Sequence, residues 1–260
     1  MTDMTYDSAE EKGKKLTDEE MMKEIGAKHG IVILLDALGM QHMWQTKYPK
    51  DILHSWEILI TAIKNGFDAD CKKYGIELSF QVFSDTVLIT ATGKIFTLLL
   101  EIPPLLRKFI LIGMLLGFYF RGCMSRGLFY PSTTETKLII GPAISEAAQY
   151  YEQMDMIGVV INPSLHKLLK EMMADNDVLR KNLGYYYTQY DVPMKYGISK
   201  QHWIMKQVPN TDLTKIGYDR MKMGATTYVE LIKKKIDQYS SEPKIKKKWE
   251  NTLAFFEYTQ

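Results

Sequence analysis

With 260 residues, 46% of them hydrophobic and 25% charged, the chain has the make-up of an ordinary globular protein with ample length for a hydrophobic core. A formal net charge of +2 excludes a global basic field of the kind that gathers nucleic acid. The two cysteines, Cys71 and Cys123, stand in neither a metal-binding nor a redox spacing and read as reduced residues of a cytoplasmic protein.

The N-terminus is too polar for a secretory signal, with Asp3, Asp7, Glu10 and Glu11 ahead of any apolar run. Residues 1–27 read as a mobile leader and a short helix that starts at the capping-box pattern Thr17-Asp18-Glu19-Glu20, and residues 28–260 as one domain with a C-terminal elaboration. Ile31 to Leu35 is an uninterrupted apolar run ending in Asp36, which is how a central strand delivers a charge to the edge of its sheet. From Pro49 to Tyr74 the residues Ile52, Trp56, Leu59, Ile60, Ile63 and Phe67 fall at helical spacing, and that spacing places Trp56 in the core rather than against a base. Gly75 ends this helix and launches a hairpin, Leu78 to Phe83 and Val87 to Thr90, with Asp85 near its tip.

Ile95 to Leu106 predicts a helix that stops at Pro103-Pro104, restarts near Leu105 and runs to Leu116 before the strand Phe118 to Arg121. Its most apolar part, Phe109 to Phe120, would span only about 18 Å as a helix, short of a bilayer core of about 30 Å, so no membrane span is expected. A loop follows from Pro131 to Thr136, then a strand over Lys137 to Ile140, and a helix from Gly141-Pro142 through Gln153. Gly158 to Pro163 is a strand, Ser164 caps the helix from Leu165 to Met173, and His202 to Met205 is a further strand. The Tyr185 to Tyr187 run suits packing and dimer surface better than base platforms. The closing helices, Tyr228 to Gln238 and Pro243 to Tyr258, carry lysine triplets that read as solvated faces.

Two acids, Asp36 and Asp85, stand out as candidate ligands of divalent cations, because Mg²⁺ and Mn²⁺ take hard oxygen donors. The plainer alternative is that Asp36 caps a helix and Asp85 starts a turn. Arg121 ends an aromatic run, where its guanidinium serves either as a fork for phosphate oxygens or as half of an ion pair inside the sheet, and Arg126 is a second phosphate candidate. Gln81, four residues before Asp85, reads as a polar strand residue that can both donate and accept.

Asp36-Ala37-Leu38-Gly39, Asp85 in a hairpin one helix later, Arg121 to Gly127, and Ile140 to Ala147 together resemble the frame of the class III nucleotide cyclases. The second pair of motifs is closer to the bacterial Pycsar pyrimidine cyclases than to the cAMP and cGMP enzymes. The similarity covers roughly Ile31 to Pro163. It implies an α/β chain with a ferredoxin-like βαββαβ core, acting as a homodimer with composite active sites. It further implies two divalent cations, Mn²⁺ or Mg²⁺, held by Asp36, Asp85 and the Ala37 carbonyl, and a nucleoside triphosphate substrate held by the backbone of Leu38, Gly39 and Met40. Gln81 stands where purine cyclases carry a base-reading side chain, so the resemblance implies that it meets a pyrimidine edge. The purine enzymes' transition-state Asn and Arg fall at Ser145 and Gln149 here, which leaves the metals, Arg121, Arg126 or Lys137 to meet that charge. The implied product is a cyclic pyrimidine nucleotide, cUMP ahead of cCMP, serving as an antiphage signal. A purine cyclase and a catalytically silent nucleotide-binding module are the alternatives.

Overall fold

Strand β1 (Lys28–Leu38) lies inside the sheet because its middle is apolar on both faces. Ile31, Ile33 and Leu35 face one layer and Val32 and Leu34 the other, all buried. These elements come from a computed structural model that describes residues 26–132, 138–174, 176–196, 200–207 and 227–260. The helix expected from Thr17 and the residue Lys137 lie outside them.

On either side β1 pairs antiparallel with β3 (Thr86–Thr92) and β4 (Tyr119–Pro131), and β2 (Glu77–Phe83) pairs with β3. Helices α1 (Met40–Thr46) and α2 (Pro49–Lys73) connect β1 to β2, and α3 (Ile95–Leu116) connects β3 to β4. The spatial order β2-β3-β1-β4 with this connectivity is the ferredoxin-like βαββαβ core expected from the sequence. Beyond β4 the sheet adds β6 (Gly158–Ile161) in parallel, then β8 (Lys200–Met205) and β7 (Tyr187–Val192), while the short β5 (Ile139–Ile140) pairs with the end of β4.

Helices α2 and α3 cover one face through Ile52, Trp56, Leu59, Leu98 and Phe109. Trp56 packs on Phe118 and Phe120 at ring distances of 4.5 and 6.0 Å, a core residue as its spacing predicts. The opposite face carries α4 (Pro142–Tyr151) through Ala143 and Ala147. Helices α5 (Pro163–Ala174) and α6 (Asp177–Tyr186) extend the first layer, and α7 (Tyr228–Gln238) and α8 (Pro243–Tyr258) close the chain with the bounds expected. Both cysteines are buried and unbridged. No helix among the described residues is long and apolar enough to cross a membrane.

Three local expectations are corrected. Helix α3 passes through Pro103 and Pro104 without stopping. Proline 103 has no N–H for the carbonyl of Leu99 one turn back, and the buried hydroxyl of Tyr187 donates to that carbonyl instead, at 3.1 Å. Strand β4 is 13 residues long rather than a short run ending at Arg121, because Tyr119 to Phe129 pair with β1 and Tyr130 and Pro131 with β5. At the start of α5 the cap is Asn162, not Ser164: its Oδ1 accepts from the Ser164 amide at 2.7 Å and the Leu165 amide at 3.4 Å.

Candidate active site

Even-numbered β1 residues face the α4 layer, so the alternation that buries Val32 and Leu34 carries Asp36 to the rim of that same face. Directly across the sheet, Asp36 is in register with Arg121 on β4 and with Thr86 on β3. Asp85 sits in the two-residue turn between β2 and β3, after Ser84 at φ 57°. The amide of Ala37 donates to the carbonyl of Asp85 at 2.8 Å, which stitches the hairpin tip to the end of β1. Two acids 49 positions apart in sequence thereby open onto one cleft of about 900 Å³. Its other walls are Thr86, Arg121, Gln149, Tyr151, Glu152, Gln153, Lys195 and Tyr196.

The Arg121 guanidinium forks onto a single oxygen, Asp36 Oδ2, with Nε at 2.9 Å and Nη2 at 2.8 Å. Both side chains are largely covered, 11% and 15% exposed. Nη1 of Arg121 reaches the Glu152 carbonyl at 3.4 Å, and the guanidinium lies 5.6 Å from the centre of the Tyr151 ring. Gly122 makes this pairing possible: a Cβ there would run into the carbonyl oxygen of Leu34, so only glycine lets β4 close on β1 beside Arg121. Burial raises the Tyr151 hydroxyl above its ordinary range, with Asp36 and Glu152 adding to the effect. Burial, then the charge of Arg121, brings the Lys195 ammonium below the usual lysine range.

The wall opposite the sheet comes from two segments held edge to edge. Asp155 donates its amide to Pro193 at 2.9 Å, Lys195 donates to Gln153 at 2.8 Å, and Met154 and Met194 form an antiparallel bridge. Behind them α8 anchors the first segment: Asn251 donates to the Asp155 carbonyl at 2.9 Å and Thr252 Oγ1 accepts from the Ile157 amide at 3.0 Å. Lys195 and Tyr196, the latter 86% exposed, were not legible as site residues, since a link between two strands carries no periodic pattern.

The remaining sequence candidates disperse. Leu38 and Gly39 line a separate cavity of about 170 Å³ with His42, Tyr119, Lys248 and Trp249, and the Met40 side chain is buried. Gly39 begins α1 in the left-handed region, φ 81°, where glycine is favoured, and α1 has only seven residues, so little helix field stands behind its amides. Gln81 lies on β2, at the end of the strand order and away from the cleft walls. Arg126 is five residues beyond Arg121 on β4 and so faces the other layer, where Ser164 bonds its backbone. Ser145 is exposed outside the cleft, whereas Gln149 one turn later lines it.

Two carboxylates and open space between polar walls suit a cation that keeps waters and shares phosphate oxygens, as Mg²⁺ and Mn²⁺ do. Among the described residues there is no cluster of three or more His, Cys, Asp or Glu that would form a closed protein cage.

No protein-family model matches the chain, nor does any curated protein. Solved structures do. The catalytic core of a rhodopsin-guanylyl cyclase with converted specificity, bound to ATPalphaS, overlays with a TM-score of 0.42 at 15% identity, covering 69% of this chain and 99% of that one. The guanylate cyclase domain of RhGC from Catenaria anguillulae, in complex with GTP, gives 0.42 at 12% identity over 70% and 99%. The adenylyl cyclase CyaB from P. aeruginosa gives 0.44 at 13% identity over 70% and 95%. Matches at these scores and identities assign nothing to this chain, whose topology is read from its own strand pairing.

Proposed function

We propose that this protein is a nucleotide cyclase that converts a nucleoside triphosphate to its 3′,5′-cyclic monophosphate and pyrophosphate. The carrying observation is the convergence of Asp36 and Asp85 on one polar cleft that also presents Arg121 and Lys195. In the reaction the ribose 3′-oxygen bonds to the α-phosphorus, the bond from that phosphorus to the β-phosphate bridging oxygen breaks, and the hydroxyl proton passes to solvent. Divalent cations at such a pair of acids supply charge neutralisation for the leaving triphosphate oxygens and a more acidic hydroxyl. Asp36 and Asp85, with the Ala37 carbonyl beside them, would hold those ions. Arg121 and Lys195 would meet the phosphate oxygens, Arg121 as a fork and Lys195 as a point charge. Lys137 stays in the proposal as a further phosphate contact by sequence alone.

The base is proposed from the motif resemblance: a pyrimidine, UTP ahead of CTP, with the product acting as an antiphage signal in a homodimeric enzyme. Gln81 as the base contact requires a second copy or a movement of β2, and Arg126 and Ser145 as substrate contacts require a second copy, since none of them lines the cleft of its own chain. A second reading, a silent nucleotide-binding module, is favoured by one observation: Asp36 is neutralised within the protein by Arg121. Incubating the purified protein with each of four labelled nucleoside triphosphates and Mn²⁺ decides among these. A cyclic pyrimidine product supports the proposal, a cyclic purine rejects the base choice, and retained binding without product supports the silent module.

A further inference from the structure

We infer that the Asp36–Arg121 ion pair is a latch that couples cation binding to phosphate binding, so that neither a divalent cation alone nor a polyphosphate alone gains full access to the cleft. This rests on the proposed use of Asp36 as a metal ligand.

Both N–H groups that Arg121 directs at Asp36 land on one oxygen, and the pair is sheltered on the floor of the cleft. A cation that takes Asp36 must share or displace that oxygen, and it then faces an Arg121 stripped of its counter-charge. Its other contacts are a neutral carbonyl, Glu152 at 3.4 Å, and the face of Tyr151 at 5.6 Å, neither of which carries negative charge. The acids Asp85 and Glu152 also line the cleft, but neither side chain is paired with the guanidinium as Asp36 is. Lys195, on the facing wall, adds a second positive charge to the same space. A partly buried guanidinium without an anion is costly, so the cation alone binds against a penalty. A phosphate group removes it, because phosphate offers the guanidinium the same planar fork that the carboxylate gave. The reverse holds equally: a polyphosphate that takes Arg121 without a cation leaves Asp36 as a second negative charge beside it. Linkage makes the two penalties one coupling term, seen from either ligand.

The experiment measures binding rather than turnover. Mn²⁺ affinity is determined by titration of free-ion spin resonance on the full chain, for wild type, Arg121→Gln and Arg121→Lys, first with Mn²⁺ alone and then with a UTP analogue carrying a methylene bridge between the α- and β-phosphorus. The Mn²⁺ taken up by the analogue in protein-free solution is measured and subtracted. Wild type is expected to bind Mn²⁺ weakly alone and at least about tenfold more tightly with the analogue, the scale of an ordinary coupling free energy. Arg121→Gln is expected to bind Mn²⁺ alone about tenfold more tightly than wild type and to lose most of the gain from the analogue. Arg121→Lys keeps the charge but not the fork, and its affinity for Mn²⁺ alone is expected to stay near wild type. Circular dichroism melts verify that each variant is folded. Should the glutamine variant fail to fold, the lysine variant carries the comparison through its gain from the analogue, which is expected to shrink because an ammonium cannot reproduce the fork, and a gain as large as wild type's overturns the latch. An Arg121→Gln protein that binds Mn²⁺ no more tightly than wild type overturns the latch, as does a wild type whose Mn²⁺ affinity ignores the analogue. A wild type that binds no Mn²⁺ under either condition overturns the metal assignment itself, an outcome distinct from loss of the coupling alone.

Discussion

The backbone amide of Ala37 donates to the backbone carbonyl of Asp85, joining the end of β1 to the tip of the β2–β3 hairpin without using either acidic side chain. The position of Asp85 is therefore fixed by main chain, and its carboxylate is left to the cleft. Asp85→Ala is expected to lower cyclisation at least about 100-fold, since it removes a proposed ligand of the catalytic cation. The same change should leave unfolding free energy within about 0.5 kcal/mol of wild type. Product formation and denaturant titration on the same preparation check both halves, and unchanged turnover rejects the assignment.

The neighbouring residue tests the turn itself. Ser84 is the one non-glycine described residue with positive φ, at 57°. Ser84→Val puts a β-branched side chain in the left-handed region and is expected to cost about 1–2 kcal/mol, while Ser84→Gly is expected to be neutral or slightly stabilising. Chemical denaturation of the two variants measures the difference.

Lys195 sets an alkaline limit on anion binding. Its ammonium is less basic than an ordinary lysine because it is partly buried and lies near Arg121. The charged form exists below that lowered pKa and is lost as pH rises through it, so the affinity for a triphosphate analogue should fall at a lower pH than unperturbed lysine, of pKa about 10.4, would allow. Lys195→Met is expected to weaken the analogue about tenfold near neutral pH and to remove this alkaline limb. Affinity measured from pH 7 to 10 in both proteins decides it.

Inside the fold, Tyr187 and Pro103 form a pair that can be separated by mutation. Tyr187→Phe leaves the buried Leu99 carbonyl without its donor and is expected to cost about 1–3 kcal/mol. In a Pro103→Ala background the restored amide can serve that carbonyl, so the same Tyr187→Phe change should cost less. A double-mutant cycle of unfolding free energies reads the coupling.

These residues also show what the sequence could and could not disclose. Asp36 and Asp85 were legible because each closes or interrupts a short apolar run, a local pattern. The bounds of α7 and α8 were legible from amphipathic spacing and, for α8, from its leading Pro243. Continuity through Pro103 and Pro104 was not, because the donor that makes it tolerable is a hydroxyl 88 positions away. The Asn162 cap was hidden for a smaller reason: Ser164 is as good a capping residue by type, and only the fold shows which oxygen meets the amides. The far wall of the cleft, Lys195 and Tyr196, is brought to Asp36 by the pairing of β7, β8 and β6 across half the sheet. Nothing local announces that journey.

The brace that Asn251 and Thr252 supply to residues 155–157 has a consequence for biosynthesis. A ribosome releases Asp36 and Asp85 well over a hundred codons before it reaches that brace, so the nascent chain can pair its first four strands while the opposing wall still lacks its support. Until α8 docks, the emerging polypeptide carries its acids at the strand ends of a sheet whose facing wall lacks the two bonds from Asn251 and Thr252.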